Sequence, residues 1–205
     1  MNKYGNLLER YLDVLQDSLC RLSTTEATYL SLRELRLALY DVVQKCLPGD
    51  FVSVGMDTWE ANVLAAAMLV HERDIFLEDH IPYQERRVVV AASRNYLQSQ
   101  YDKSWEMLQH FGLFRTDVVK LIPDLIPCHL SPTQVHGVSI LLLGHDSEEA
   151  SLEALTDLYP KIGHGGYVIT TSSPAKSALR LYYTTGRHDF HIRVASADVA
   201  VVHKP

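Results

Sequence analysis

The sequence predicts a single α/β domain built on a mostly parallel, seven-stranded sheet with helices on both faces and an antiparallel hairpin at its carboxyl end. Three observations predict it. Short β-branched runs alternate with stretches of helical periodicity from Phe51 to the helix opened by Ser173. The run VSILLL, Val138–Leu143, has the unbroken apolar character of a strand buried on both faces. The runs Phe190–Ala195 and Val199–Val202 alternate and are tightly joined, as in a hairpin.

The elements follow in order. Leu7, Leu8, Tyr11, Leu12, Leu15 and Leu19 recur at spacings of three and four, as do Leu32, Leu35, Leu39, Val42 and Val43, so both stretches are predicted helices. Pro48-Gly49 stops the second. Phe51–Gly55 (FVSVG) reads as a short buried strand, and the segment through Val63–Val70 as the helix after it. Arg87–Ala92 is a strand, Tyr101–His110 a helix, and Val118–Ile122 and Val138–Leu143 are strands. Glu148–Tyr159 is a helix, with Glu148, Glu149 and Glu153 in its amino-terminal half and Lys161 just past its end, as the helix dipole favours. Gly165-Gly166 turns the chain into a strand at Tyr167–Thr171, and Ser173-Pro174 starts the last helix. Residues 1–46 form a helical region suited to capping or dimerisation, and residues 47–205 the α/β domain.

Composition excludes several functions. With 205 residues, 47% of them hydrophobic and 21% charged, the chain can bury one sizeable core. A net charge of -6 without a basic stripe argues against a nucleic-acid grip. The amino terminus reads as an amphipathic helix rather than a signal peptide, and the longest apolar run, Val63–Val70, is too short to span a membrane. Cys20, Cys46 and Cys128 are far apart and odd in number, which suits a reducing cytoplasm and spells no zinc site. The expectation is a soluble cytoplasmic protein that binds neither nucleic acid nor membrane.

In an open parallel sheet, ligands bind beyond the carboxyl ends of the strands. The candidate segments are therefore Gly55–Glu60, Ala92–Tyr96, Gly144–Ser147 and Thr171–Pro174. No GxGxxG follows the first strand, which disfavours a dinucleotide enzyme. GHGG at 163–166 lacks the lysine and following helix of a phosphate loop and is expected to be a turn.

From about Tyr11 onward, YLDVLQDSLCRL, LPGDFVSVG, RRVVVAAS and LLLGHDSEEASLEALTDLYPKIGHGGYVI resemble the macrocin O-methyltransferase (TylF-type) family. The resemblance implies the Rossmann-like class I methyltransferase fold. It further implies natural-product biosynthesis, S-adenosylmethionine held in a Gly-rich loop after the first strand, and a divalent metal held by carboxylates at later strand ends. The chain departs from the family at those places. Ser53 stands at the acidic position of the first strand, and Trp59 and Glu60 stand where the family has paired glycines. Ala92 replaces the aspartate expected to engage the cofactor ribose. Gly144 replaces the first metal carboxylate, and Thr171 and Ser172 the later aspartate pair. Mg²⁺ prefers hard anionic oxygens, so these exchanges remove its ligands. The segment between Thr24 and Leu32 is also shorter than the stretch that the family uses to cover the site. Of the family's site, Gly55 and Ser93 remain as vestigial cofactor contacts, and Asp146 as the acid in the place of a general base.

Asp146 has two readings: a base for a substrate hydroxyl, or the N-cap of the helix that follows. His145 stands beside it as a second candidate catalytic residue, although neighbours on an extended segment point to opposite faces. His145, His164, His188 and His191 lack ligand spacing, and no metal site is expected. Trp59 is expected in the core or plugging the cofactor cavity. Tyr182, Tyr183, Tyr101, Trp105, Phe111 and Phe114 either line an aromatic pocket or pack the core. The leading expectation is a pseudo-methyltransferase without cofactor. It would act as an auxiliary subunit for a biosynthetic partner protein, or on a natural-product intermediate by other chemistry such as cyclisation or hydrolysis. The alternative is an active S-adenosylmethionine-dependent O-methyltransferase acting on a sugar or other small hydroxyl compound. Whether the chain is an enzyme stays open at this point, and a homodimer is expected.

Overall fold

A computed structural model describes residues 3–22, 26–55, 59–78, 86–91, 97–122, 135, 137–144, 147–186 and 191–205. Two helices, α1 (Lys3–Leu22) and α2 (Glu26–Gln44), precede the sheet. Then come β1 (Asp50–Gly55), α3 (Trp59–Glu78), β2 (Val88–Ala91), α4 (Leu97–His110), β3 (Val119–Ile122) and β4 (Val138–Gly144). They are followed by α5 (Glu148–Leu158), a 3₁₀ turn (Tyr159–Lys161), β5 (Ile162–Thr170), α6 (Ser173–Gly186), β6 (Ile192–Val194) and β7 (Ala200–His203). The seven strands lie in the order β3-β2-β1-β4-β5-β7-β6. The β1–β2, β2–β3, β1–β4 and β4–β5 pairs are parallel, and β7 runs antiparallel to both β5 and β6. Among the described residues, no helix is long and apolar enough to cross a membrane.

Strand periodicity sorts the core into two layers. Phe51, Val88, Val90, Ile140, Leu142 and Ile169 face α1–α4, whereas Val52, Val54, Val89, Leu141, Leu143 and Val168 face α5 and α6. The first layer explains the composition of α3. It is covered by the sheet, α1, α2 and α4, and every residue from Trp59 to Leu69 is buried. A helix enclosed on all sides has no use for a polar face. α1 keeps one, burying Leu12, Leu15, Gln16 and Leu19 and exposing Arg10, Asp13, Val14 and Asp17.

Ion pairs tie the loops at the amino-terminal edge of the sheet. Asp50 is buried and accepts from the backbone N–H of Arg87 at 3.0 Å and from its Nη2 at 2.8 Å. Arg86, equally buried, pairs with Glu72 and donates from Nε to the Leu47 carbonyl at 2.9 Å. Burial pushes the Glu72 carboxyl above the usual range, against the pull of Arg86. Two further contacts tie α2 to the β5–β7–β6 end of the sheet. Tyr167 donates its hydroxyl to Asp41 Oδ2 at 2.8 Å, and Arg193 grips Glu34 with both guanidinium nitrogens.

The glycine pair at 165–166 is the main correction to the expected elements. It does not turn the chain before a strand but lies within β5, which begins at Ile162. Val138 pairs with Ile162, yet Ile140 pairs with Tyr167, so β5 takes up extra residues in a bulge. Gly165 has φ +81°, and a Cβ on Gly166 would lie 2.6 Å from Ile162 and 2.9 Å from the Ser139 carbonyl. The glycines thus serve close packing.

Gly49 precedes β1 with φ +115°, and a Cβ there would lie 2.8 Å from the Ser139 nitrogen. The neighbour is backbone of β4 and cannot move aside. Gly49→Ala is expected to lower stability by about 2 kcal/mol or more. Urea denaturation measures the loss.

Candidate functional site

The strand order reverses between β1 and β4, and a parallel sheet opens a ligand crevice at such a point. Gly55 and Gly144 face each other there, at the carboxyl ends of their strands. Gly55 has φ +113°, a conformation that glycine adopts without strain and that turns the chain out of the sheet toward α3. Two positions before Gly55, Ser53 faces the α3 side and is fully buried between Val90 and Leu142.

Trp59 and Glu60 open α3, and each is only 6% exposed. Trp59 belongs to the same core cluster as Leu12, Leu15 and Leu19 of α1 and Leu108 of α4. Lys103, reaching in from α4, holds its ammonium 4.7 Å from the centre of the Trp59 ring, a cation–π distance. Glu60 is turned toward α1. Burial, then Asp17, then Glu60 raise the Cys20 thiol above its ordinary range. Both positions where the resembled family has glycine therefore carry buried side chains. Gln16 and Asn62, also buried on these helices, each leave a side-chain oxygen without a hydrogen-bond partner among the described residues.

The ends of β4 and β5 carry no acid among the described residues. Gly144 has no side chain to offer. Thr171 donates its backbone N–H and its hydroxyl to the Leu143 carbonyl, at 2.9 and 3.3 Å. The Ser172 hydroxyl accepts from the Ala175 N–H at 3.3 Å and caps α6. Both hydroxyls are thus committed to local backbone, and both are neutral. A divalent metal needs anionic oxygens, so the residues at 144, 171 and 172 do not fit one. Among the described residues, no three His, Cys, Asp or Glu side chains gather as a metal site.

The other candidates are placed unevenly. Asp146, His145 and Ser93 lie outside the described residues, as do Ala92, Cys128 and His188. The N-cap expected of Asp146 belongs to Ser147, whose hydroxyl accepts from the Ala150 N–H at 3.3 Å. Ser is as good a cap as Asp, and the helix begins one residue later than a cap at 146 would require. His164 sits 2.5 Å from the Pro205 carbonyl through Nδ1, and His191 is exposed. Tyr182 and Tyr183 pack edge-on with Tyr159 at 5.3 and 5.7 Å. Tyr159 lies just before β5, so this trio stands at the amino-terminal edge of the sheet, away from the crevice. Burial drives the Tyr183 phenol far above its ordinary range. Trp105 stacks against Phe114 at 4.0 Å, outside the strand ends as well. The Lys103–Trp59 contact had no signal in the sequence, because the two residues are far apart along the chain.

The fold is shared with known proteins. The profile described as Macrocin-O-methyltransferase (TylF) matches residues 14–202. Demethyldecarbamoylnovobiocin O-methyltransferase of Streptomyces niveus is 24% identical over 169 residues, covering 74% of this chain and 64% of that protein. The chain thus spans less than two thirds of that relative's length. Among solved structures, the O-methyltransferase NovP superposes with a TM-score of 0.77 at 18% identity, covering 98% of this chain and 99% of that one. The calicheamicin methyltransferase CalS11 superposes with a TM-score of 0.62 at 14% identity, covering 99% of this chain and 93% of that one.

Trp59 is a core residue in this arrangement. Trp59→Ala is expected to cost about 3–5 kcal/mol, the range for truncating a buried aromatic. A free-energy change below about 1 kcal/mol in urea unfolding would mean that the ring is not built into the core.

Proposed function

Because the chain belongs to the macrocin O-methyltransferase (TylF) family, its profile matching residues 14–202, we propose that it is a natural-product-pathway protein that keeps the methyltransferase fold without metal-dependent methyl transfer. The observation that carries this reading is the burial of Trp59 and Glu60 at the head of α3. Side chains occupy both positions that the family leaves as glycine for the cofactor's approach. The neutral strand ends at Gly144, Thr171 and Ser172 support it from the other side of the crevice. Such a protein acts as an auxiliary subunit for a biosynthetic partner, or turns over a small natural-product intermediate by other chemistry such as cyclisation or hydrolysis. Fold alone does not choose between these roles.

A second reading rests on Asp146, retained in the sequence just after β4. General-base removal of a hydroxyl proton needs no metal, so an active O-methyltransferase acting on a sugar or other small hydroxyl compound is consistent with this residue. The relatives named above carry O-methyltransferase names.

Isothermal calorimetry with S-adenosylmethionine and S-adenosylhomocysteine, with and without Mg²⁺, separates the two. The first reading predicts no heat of binding and no thermal stabilisation. A micromolar dissociation constant for either compound rules it out. If binding is found, Asp146→Asn should abolish methyl transfer, and an unchanged rate would remove Asp146 as base.

A further inference from the structure

Gln16 is the unusual residue of α1. It lies within the leucine stripe of Leu12, Leu15 and Leu19, is 5% exposed, and its Oε1 has no hydrogen-bond partner among the described residues. On α3, against which α1 packs, Asn62 is 1% exposed and its Oδ1 is unpartnered in the same way. A buried acceptor without a donor forfeits its hydration, a penalty of about tenfold or more in an equilibrium constant. Undocking α1 returns the Gln16 amide to water and cancels that penalty. Ser18 adds to the effect within the helix itself. It donates back to the Val14 carbonyl at 2.8 Å, a mid-helix bond of the kind that slightly weakens helices.

The two amino-terminal helices are attached differently. α2 is tied to the sheet by Arg193 on Glu34 and by Tyr167 on Asp41. α1 packs on α2 and α3 and, among the described side chains, has one ion pair, Asp13 with Arg36. Both partners of that pair reach solvent, and such pairs contribute little. What holds α1 among the described side chains is the burial of three leucines, offset by the orphaned amide. Low local stability of this kind lets a segment open without global unfolding. We infer that α1 is a releasable helix, which undocks from α2 and α3 as a unit while α2 and the sheet stay folded, and that the buried Gln16 sets how readily it does so. Release takes Leu12, Leu15 and Leu19 out of the apolar layer shared with Trp59 and moves Cys20 away from Glu60. The moving part beside the head of α3 is therefore α1, whether or not the chain binds S-adenosylmethionine.

Hydrogen exchange of the full chain at neutral pH, read by mass spectrometry on peptides from α1, α2 and β4, tests it. In the wild type, α1 amides should exchange about a hundredfold faster than those of β4 and share one opening, whereas α2 amides should exchange with the sheet. Low urea, below the unfolding transition, should leave the α1 rate nearly unchanged, because a local opening exposes little surface. Gln16→Met keeps the length and helix propensity of the side chain and removes the orphaned oxygen, so it should slow α1 exchange about tenfold. Protection of α1 equal to that of β4 in the wild type overturns the inference without recourse to any variant. Loosening of α2 together with α1 overturns it too, since the released unit is then not α1. A Gln16→Met chain whose α1 exchanges as fast as the wild type, or faster, would remove the orphaned amide as the cause.

Discussion

The constraint on which the rest of the molecule depends is the burial of Trp59 at the head of α3. It places the first turn of α3 in the same apolar layer as Leu12, Leu15 and Leu19 of α1. A glycine at that position would leave backbone and open space. A tryptophan supplies on the order of 200 Å² of apolar surface, and the helices close around it. The cation of Lys103 lies over the ring. The buried ring thus stabilises the domain, and under the proposed reading it also stands where the family's cofactor would approach.

The opposite wall of the crevice has changed in a way that matches. A metal site of carboxylates holds concentrated negative charge, which is costly without the cation. Replacing that charge with Thr171 and Ser172 removes the cost, and both hydroxyls become ordinary parts of the backbone network. Loss of the metal ligands and filling of the glycine loop are separate substitutions on separate elements. Under the proposed reading they are mutually consistent, because each removes something that metal-dependent methyl transfer would need.

Much of this was legible in the sequence. The buried strands β1, β2 and β4 announced themselves by β-branched runs, and the antiparallel end of the sheet by the alternation around Val199–Val202. Periodicity is a local signal and survives without knowledge of the partner strands. Gly165-Gly166 misled because a bulge inside a strand and a turn before one use the same residue type; only the pairing of Ile140 with Tyr167 separates them. The cap at α5 was misplaced by one residue because Asp146 and Ser147 are equally suited to it, and the helix start decides. Glu60 facing α1, the grip of Arg193 on Glu34 and the placement of the tyrosine trio at the far edge of the sheet depend on how distant elements meet. No spacing rule reports such meetings.

The two tryptophans offer a direct view of the central claim, since Trp59 and Trp105 give two indole N–H resonances, assigned with a Trp105→Phe variant. Titrating S-adenosylhomocysteine into ¹⁵N-labelled protein with Mg²⁺ present should leave the Trp59 resonance where it is, because the ring is already buried in the core. A saturable shift of that resonance, at ligand concentrations comparable with the protein, would show that the cofactor reaches the head of α3 and would contradict the account.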